Sequence, residues 1–290
     1  MLHHRFRTPG VLDVEGPDRV AFLQGQLTQE VRNLTPGEVR PAAGLTPKGK
    51  LLYVARLVGL PDRLRLLVPA GLRQVVAAHL SKYAAFQKVS VADRSPDWLR
   101  VGLAGGPLPS GDPPGALRLP GEGELSAELL VPALEKGALE AWLLEAGSAE
   151  LSEEEAEAMR VEAGRPRFGQ DMDDTNLADE VGLAPAISRT KGCFVGQEVV
   201  ARVATYGRVN RRLVGFRFPD GPIRAGVRLA NPDAAADAKI EWGRVTSSVV
   251  SPRLGAVGLG FAFRDVPEGG RLLSVEDPAR SATVTGLPFA

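Results

Sequence analysis

Lys191-Gly192-Cys193-Phe194-Val195-Gly196-Gln197-Glu198 is the most informative stretch of this 290-residue chain. It carries the only cysteine, between two glycines and beside a lysine. A loop over 183–190 leads into it, and 196–203 has helical character with Glu198 in the early turn, where negative charge suits the helix dipole. Cys193 is therefore expected just ahead of a helix N-terminus. Exposed backbone N–H groups and the Lys191 ammonium both favour a thiolate there. Such a thiol can act as a nucleophile, a redox-sensitive group or one ligand of a shared metal centre. The alternative is a small buried hydrophobe, the commoner fate of a lone cysteine. Gly192 and Gly196 permit close backbone approach. No histidine lies nearby in sequence to serve as a base, so a Cys–His hydrolase would need the fold to deliver His79.

Working upstream, Leu151-Ser152-Glu153-Glu154-Glu155 reads as a helix start, with Ser152 as cap and Glu155 reaching back to it. The helix should stop near Ala163, because Gly164 suits the left-handed position after a helix and Pro166 cannot continue it. Glu162 then sits in the last turn, facing the negative end of the dipole, at a cost of about 0.3–1 kcal/mol if exposed. Either Arg160, Arg165 and Arg167 neutralise it, or it accepts hydrogen bonds from an N–H pair on a ligand. A pterin ring offers such a pair.

Further towards the N-terminus, Gly16-Pro17-Asp18 opens a helix with Val20, Phe22, Leu23 and Leu27 as its apolar stripe. Residues 38–43 and 51–58 read as strands around the turn Thr46-Pro47-Lys48-Gly49, and 63–68 alternates in the β manner. Residues 70–84 form a helix with Leu72, Val75, Val76, His79 and Leu80 on one face. Residues 89–91 and 99–103 are short strands, 105–123 is a Gly- and Pro-rich loop with strands resuming on either side, and 134–146 is a second amphipathic helix. Strands and helices mix without strict alternation, which points to α+β. After residue 213 the helical period disappears. Short β runs at 213–218, 227–230, 240–250, 257–263 and 272–275, separated by Gly, Pro and Asp, indicate a small barrel. Apart from Ala234-Ala235-Ala236 the chain has no low-complexity tract.

Composition narrows the classes. Hydrophobic residues make up 44% and charged ones 24%, as in a soluble globular protein. Lys plus Arg and Asp plus Glu both number 35, so no global basic excess speaks for nucleic acid. Arg202, Arg208, Arg211 and Arg212 form a local basic cluster that could touch phosphate, or an ordinary solvated face. One cysteine excludes an intrachain disulfide and, with three histidines, a four-ligand zinc site of the usual spacing. It also excludes an iron–sulfur cluster held by this chain's thiolates, which takes about four. The N-terminus lacks the apolar core of a signal peptide, and no run of about 18 apolar residues occurs, so the chain reads as cytoplasmic without a membrane span.

The octapeptide at 191–198 resembles the K-G-C-aromatic-x-G-Q-E motif of the YgfZ family, matching every fixed position. Arg160-Val161-Glu162-Ala163-Gly164-Arg165-Pro166, with Gly169 and Asp171, is similar to the R-x-E-A-G-x-P-x-x-G-x-D segment of that family and of its relative, the glycine-cleavage T-protein. Phe22-Leu23-Gln24-Gly25-Gln26-Leu27-Thr28 resembles the family's N-terminal helix, and Lys82-Tyr83-Ala84-Ala85-Phe86-Gln87-Lys88-Val89 looks like another shared element. Gly243-Arg244-Val245-Thr246-Ser247-Ser248 is similar to the G-x-V-T-S segment of the T-protein barrel.

The resemblance implies an α+β fold: a three-lobed T-protein-like folate-binding region over 1–210, followed by a C-terminal β-barrel over 211–290. It implies tetrahydrofolate as the ligand, with Glu162 holding the pterin and Lys191 and Gln197 beside the folate. Cys193, with Lys191, is the implied reactive site, and no metal site is implied. The family supports assembly or maintenance of iron–sulfur enzymes, some of which modify tRNA. The implied partners are thus folate, iron–sulfur enzymes or their assembly factors and, indirectly, tRNA. The T-protein carries acidic residues on the strand after the Gly-rich turn. Here Lys48-Gly49-Lys50-Leu51-Leu52-Tyr53-Val54-Ala55 has none, which argues against aminomethyl transfer, since acid–base assistance needs a group within reach of the proton. The alternatives are a folate-dependent aminomethyltransferase and a non-catalytic scaffold for an iron–sulfur enzyme or tRNA.

Overall fold

The computed structural model describes residues 1–6, 9–207, 209–232 and 241–289. Ala234-Ala235-Ala236, Ile240 and Arg208 lie outside the described residues. The chain forms two compact units, Met1–Ser152 with Ala184–Ala201, and Glu153–Leu183 with Arg202–Ala290.

In the first unit, β1 (Leu2–Phe6) and β2 (Gly10–Glu15) enter different sheets. Helix α1 (Arg19–Gln26) follows, then β3 (Val39–Leu45), β4 (Leu51–Gly59), β5 (Arg63–Val68), α2 (Arg73–Ala84), β6 (Ser90–Asp93), β7 (Trp98–Ala104), β8 (Leu117–Pro120), β9 (Leu125–Pro132), α3 (Lys136–Glu145) and the two-residue β10 (Ala149–Glu150). One sheet has the order β3-β4-β5-β2-β6, the other β10-β1-β7-β9-β8.

Period-two alternation explains how the first sheet is buried on both faces. Leu12, Leu57, Leu66 and Val68 face one way, onto Phe22, Leu23 and Leu27 of the α1 region and Val76 and Leu80 of α2. Their neighbours Val11, Val58 and Leu67 face the other way, onto Leu119 and Leu130 of the second sheet. That is why 64–68 reads as a nearly unbroken apolar run. Its one charge, Arg65, pairs across the strands with Asp13, itself 1% exposed, at 2.7 Å. The second sheet places Val101, Leu103, Leu129 and Val131 under Leu139 and Leu143 of α3.

Among its described residues the second unit contains α4 (Glu153–Glu162) and six strands: β11 (Arg211–Arg217), β12 (Arg228–Ala230), β13 (Gly243–Ser251), β14 (Gly255–Phe263), β15 (Arg271–Ser274) and β16 (Ser281–Thr285). They close into a barrel in the order β11-β14-β13-β12-β15-β16. Val214, Phe216, Val245, Leu272 and Val284 are among the residues filling it. Val161 of α4 packs on Val257, Leu259 and Phe289, so the helix that carries Glu162 belongs to the barrel's compact unit. Helix α5 (Gln197–Tyr206) begins in the first unit and ends in the second.

Several elements differ from the sequence reading. Strand β8 lies inside the Gly- and Pro-rich stretch assigned to loop, and β1, β2 and β16 were not foreseen. On α2 the buried residues are Val76, Leu80 and Ala84, whereas Val75 is exposed. Among the described residues, no helix is long and apolar enough to cross a membrane.

Candidate functional site

Glu162 ends α4 within a Schellman cap: Arg165 N–H donates to Arg160 O and Gly164 N–H to Val161 O. Gly164 has φ +65°, and a Cβ there would lie 2.9 Å from the Leu287 side chain, so the position requires glycine twice over. The cap fixes where the Glu162 side chain leaves the helix. Its carboxylate is nearly buried, and its partners come from the β13–β14 hairpin. Ser251 Oγ donates to Oε1 at 2.5 Å, and Arg253 Nε and Nη2 both reach Oε2, at 3.2 and 2.8 Å. The serine proton has no alternative direction. Its oxygen already accepts from Arg253 N–H and Leu254 N–H, at 3.0 and 2.9 Å, so the hydrogen points at Glu162.

Of the arginines that local sequence offered to neutralise Glu162, Arg160 and Arg167 pair with other carboxylates. Arg160 binds Glu157 at 2.6 Å and Asp171 at 2.7 Å, and Arg167 binds Glu157 at 2.9 Å. Asp171, 1% exposed, also receives Thr246 Oγ1, Ser247 Oγ and the Arg167 N–H. With the Arg160 guanidinium these make four donors for the roughly four acceptor positions of a carboxylate. The R-x-E…D segment and the G-x-V-T-S segment, about eighty residues apart, thus form one hydrogen-bonded joint.

In the first unit the octapeptide docks on the end of α1. Lys191 Nζ donates to Gln24 O at 2.7 Å, Leu27 O at 2.5 Å and Gln29 O at 2.8 Å. All three ammonium donors are thereby occupied. Helix ends leave carbonyls without intrahelical partners, and a cation suits them. Burial pulls the Lys191 amine down to about 8, against the opposing pull of Glu30. Ser188 N–H donates to Thr28 O and Val195 N–H to Gly25 O. Thr28 Oγ1 reaches Ala186 O at 2.7 Å. The F-L-Q-G-Q-L-T segment and the K-G-C segment are therefore two halves of one local structure.

Gln197 turns its Oε1 back to accept the Phe194 N–H at 3.1 Å. Gly196 has φ +83°, and a Cβ there would stand 2.6 Å from Thr46 O in the β3–β4 turn. At Gly192 none of the described residues lies within 4 Å of where a Cβ would stand, so among them the close approach anticipated for both glycines occurs at Gly196. Cys193, between them, is exposed rather than a small core hydrophobe.

Of the residues singled out from sequence, Lys191, Cys193 and Gln197 share the first unit, and Glu162 lies in the second. Ser251 and Arg253 escaped the sequence reading. Of the basic cluster, Arg211 pairs with Glu180 at 3.5 Å and Arg212 donates to Val266 O at 2.8 Å, which leaves them less available to phosphate. Among the described residues, no group of three or more His, Cys, Asp or Glu is placed to hold a metal ion.

No family model matches the chain. It is 30% identical over 271 residues to an aminomethyltransferase of Methylococcus capsulatus, covering 84% of this chain and 73% of that one. It is 29% identical over 310 residues to the tRNA-modifying protein YgfZ of Edwardsiella ictaluri, covering 96% and 89%. The crystal structure of glycine cleavage system aminomethyltransferase T from Bartonella henselae matches with a TM-score of 0.85 and 22% identity, over 99% of this chain and 86% of that one. That match confirms the T-protein-like α+β fold with a C-terminal barrel. The chain belongs to the family that joins the YgfZ proteins to the glycine-cleavage aminomethyltransferases.

Proposed function

We propose that this protein binds tetrahydrofolate, with Glu162 as acceptor for the pterin N–H pair, and supports the assembly or maintenance of iron–sulfur enzymes through Cys193. In this reading residues 1–210 serve as the folate-binding domain and 211–290 as the barrel domain. The observation that carries it is the Glu162 carboxylate: a buried acid aimed by a forced serine hydrogen bond and a surface arginine, in a chain of this family. Three of its roughly four acceptor positions are filled, and one on Oε1 remains open to a ligand N–H. One pterin N–H thus has an acceptor on Oε1, and its second N–H finds one on Oε2 when Arg253 withdraws. Lys191 acts by fixing the loop rather than by touching folate, since its donors are occupied. Gln197 pins Phe194 beside Cys193. Bound folate supplies one-carbon chemistry, while Cys193 is accessible to a partner's cluster.

Calorimetric titration of wild type and Glu162→Ala with tetrahydrofolate, under anaerobic reducing conditions, tests the ligand. Micromolar binding, about −8 kcal/mol, that weakens at least tenfold in the variant supports the reading; wild type that does not bind refutes it. A separate test addresses the thiol. In cells relying on Cys193→Ser, client iron–sulfur enzymes should lose activity, and full client activity would remove Cys193 from the mechanism.

The second reading is an aminomethyltransferase, favoured by the relatives that carry that name. The absence of a carboxylate over Lys48–Ala55 weighs against it. Formation of methylene-tetrahydrofolate from an aminomethyl-lipoyl carrier would decide for it.

A further inference from the structure

Arg253 stands in the β13–β14 turn with its side chain 57% exposed, above a Glu162 side chain that is 11% exposed. Two of its N–H groups, Nε and Nη2, converge on Oε2. These two donors hang on one guanidine carbon. A pterin presents the same pattern, because its ring N–H and exocyclic amino group flank a single carbon between two nitrogens. Guanine presents it too. The arginine is thus a chemical mimic, within the chain, of the fragment that a Glu162 site would recognise.

We propose that Arg253 is an internal ligand of Glu162, and that a cyclic guanidine such as the pterin of tetrahydrofolate binds by exchange with it. This rests on the reading of Glu162 as the pterin acceptor. The geometry supports exchange over joint occupancy. With Arg253 in place the carboxylate has one open acceptor position, on Oε1, and a two-donor ligand needs two. With Arg253 withdrawn only Ser251 remains on the carboxylate, and three positions open. Ser251 keeps the carboxylate aimed throughout, because its proton is fixed by the two backbone N–H groups it accepts. The pair opens to solvent on the arginine side, where salt screens it. The consequence is a thermodynamic tax on binding, equal to the fraction of molecules in which the carboxylate is uncovered. A pair closed nine times in ten would weaken apparent affinity about tenfold.

The test titrates wild type, Arg253→Met, Arg253→Lys and Glu162→Ala with tetrahydrofolate and, separately, with guanosine, at low and at high ionic strength. Methionine keeps the aliphatic stem and removes the donors; circular dichroism and a thermal melt check that each variant folds. Exchange predicts that Arg253→Met binds about tenfold tighter than wild type and Arg253→Lys falls between. It also predicts that wild-type affinity rises with salt while that of Arg253→Met does not. The compound whose affinity responds identifies which cyclic guanidine the site takes. Glu162-dependent binding by wild type that is unchanged or weaker in Arg253→Met overturns the exchange and leaves the folate reading standing. If wild type does not bind tetrahydrofolate the folate reading falls, and if Arg253→Met then binds neither compound the exchange falls with it.

Discussion

Lys191 illustrates how a residue expected beside a ligand also holds a loop. Its three hydrogen bonds all go to backbone carbonyls around the end of α1. Replacing it by methionine removes a charged donor from three partly buried acceptors, for an expected loss of roughly 2–3 kcal/mol of stability, readable by denaturant melts. The amine also links the fold to pH. In the folded protein burial lowers its pKa to about 8 from the ordinary 10.5. Between those values the unfolded chain holds a proton that the folded one has released, so this contribution to stability rises with pH across that window and is absent below it. The stability difference between wild type and Lys191→Met should therefore increase from pH 8 towards 10.5; a flat difference contradicts the shift. Cys193, being exposed, should tolerate serine within about 0.5 kcal/mol, so a functional defect in that variant would not be a folding defect. None of the partners of Lys191 was readable from sequence, because a backbone carbonyl has no residue type. The carboxylate of Glu162 was readable from helix capping, but its partner Arg253 lies 91 residues away and carries no local signal.

At the level of elements, the caps were the legible part. Gly164 and Pro166 end α4 where expected, since a left-handed glycine and a proline leave the backbone few alternatives. The two glycines of the octapeptide make a sharper experiment. Gly196→Ala combines a positive φ with a contact on Thr46 O, and should cost at least about 2 kcal/mol. Gly192→Ala meets open space and should be nearly silent in thermal melts. Equal destabilisation by the two would contradict this account. Asp171→Ala should be costlier still, about 3–5 kcal/mol, because it removes the buried carboxylate on which four donors converge and takes from Arg160 one of its two carboxylate partners. The strands that were missed have physical reasons too. Strand β8 is four residues long within a Gly- and Pro-rich stretch, and β1 owes its place to pairing with β7 rather than to an alternating pattern. On α2 two overlapping apolar stripes competed. Packing against the sheet selected Val76, Leu80 and Ala84 and left Val75 outside, a choice that periodicity alone does not make.

Over the whole molecule, equal numbers of acidic and basic residues make the formal charge zero at pH 7. Self-repulsion is then weakest near neutrality, and solubility at low salt should pass through a minimum there, measurable by precipitation across a pH series. Fold class and the barrel could be read from the chain because texture changes along it. The division into compact units could not, because it depends on contacts between distant segments: α4 associates with strands that begin about eighty residues later. The chain passes between the units after Ser152, Leu183 and Ala201. On the ribosome this routing imposes an order. The N-terminal unit emerges early, yet its last strip, Ala184–Ala201, follows the first part of the other unit, and the lysine that seats on Gln24 is made 167 residues after it. Until then the end of α1 stays uncapped, because the K-G-C loop that docks on it has not been made. Arrested translation products that stop before Lys191 should therefore be protease-sensitive at α1, and the cysteine reaches its final setting only after the first part of the other unit has been made.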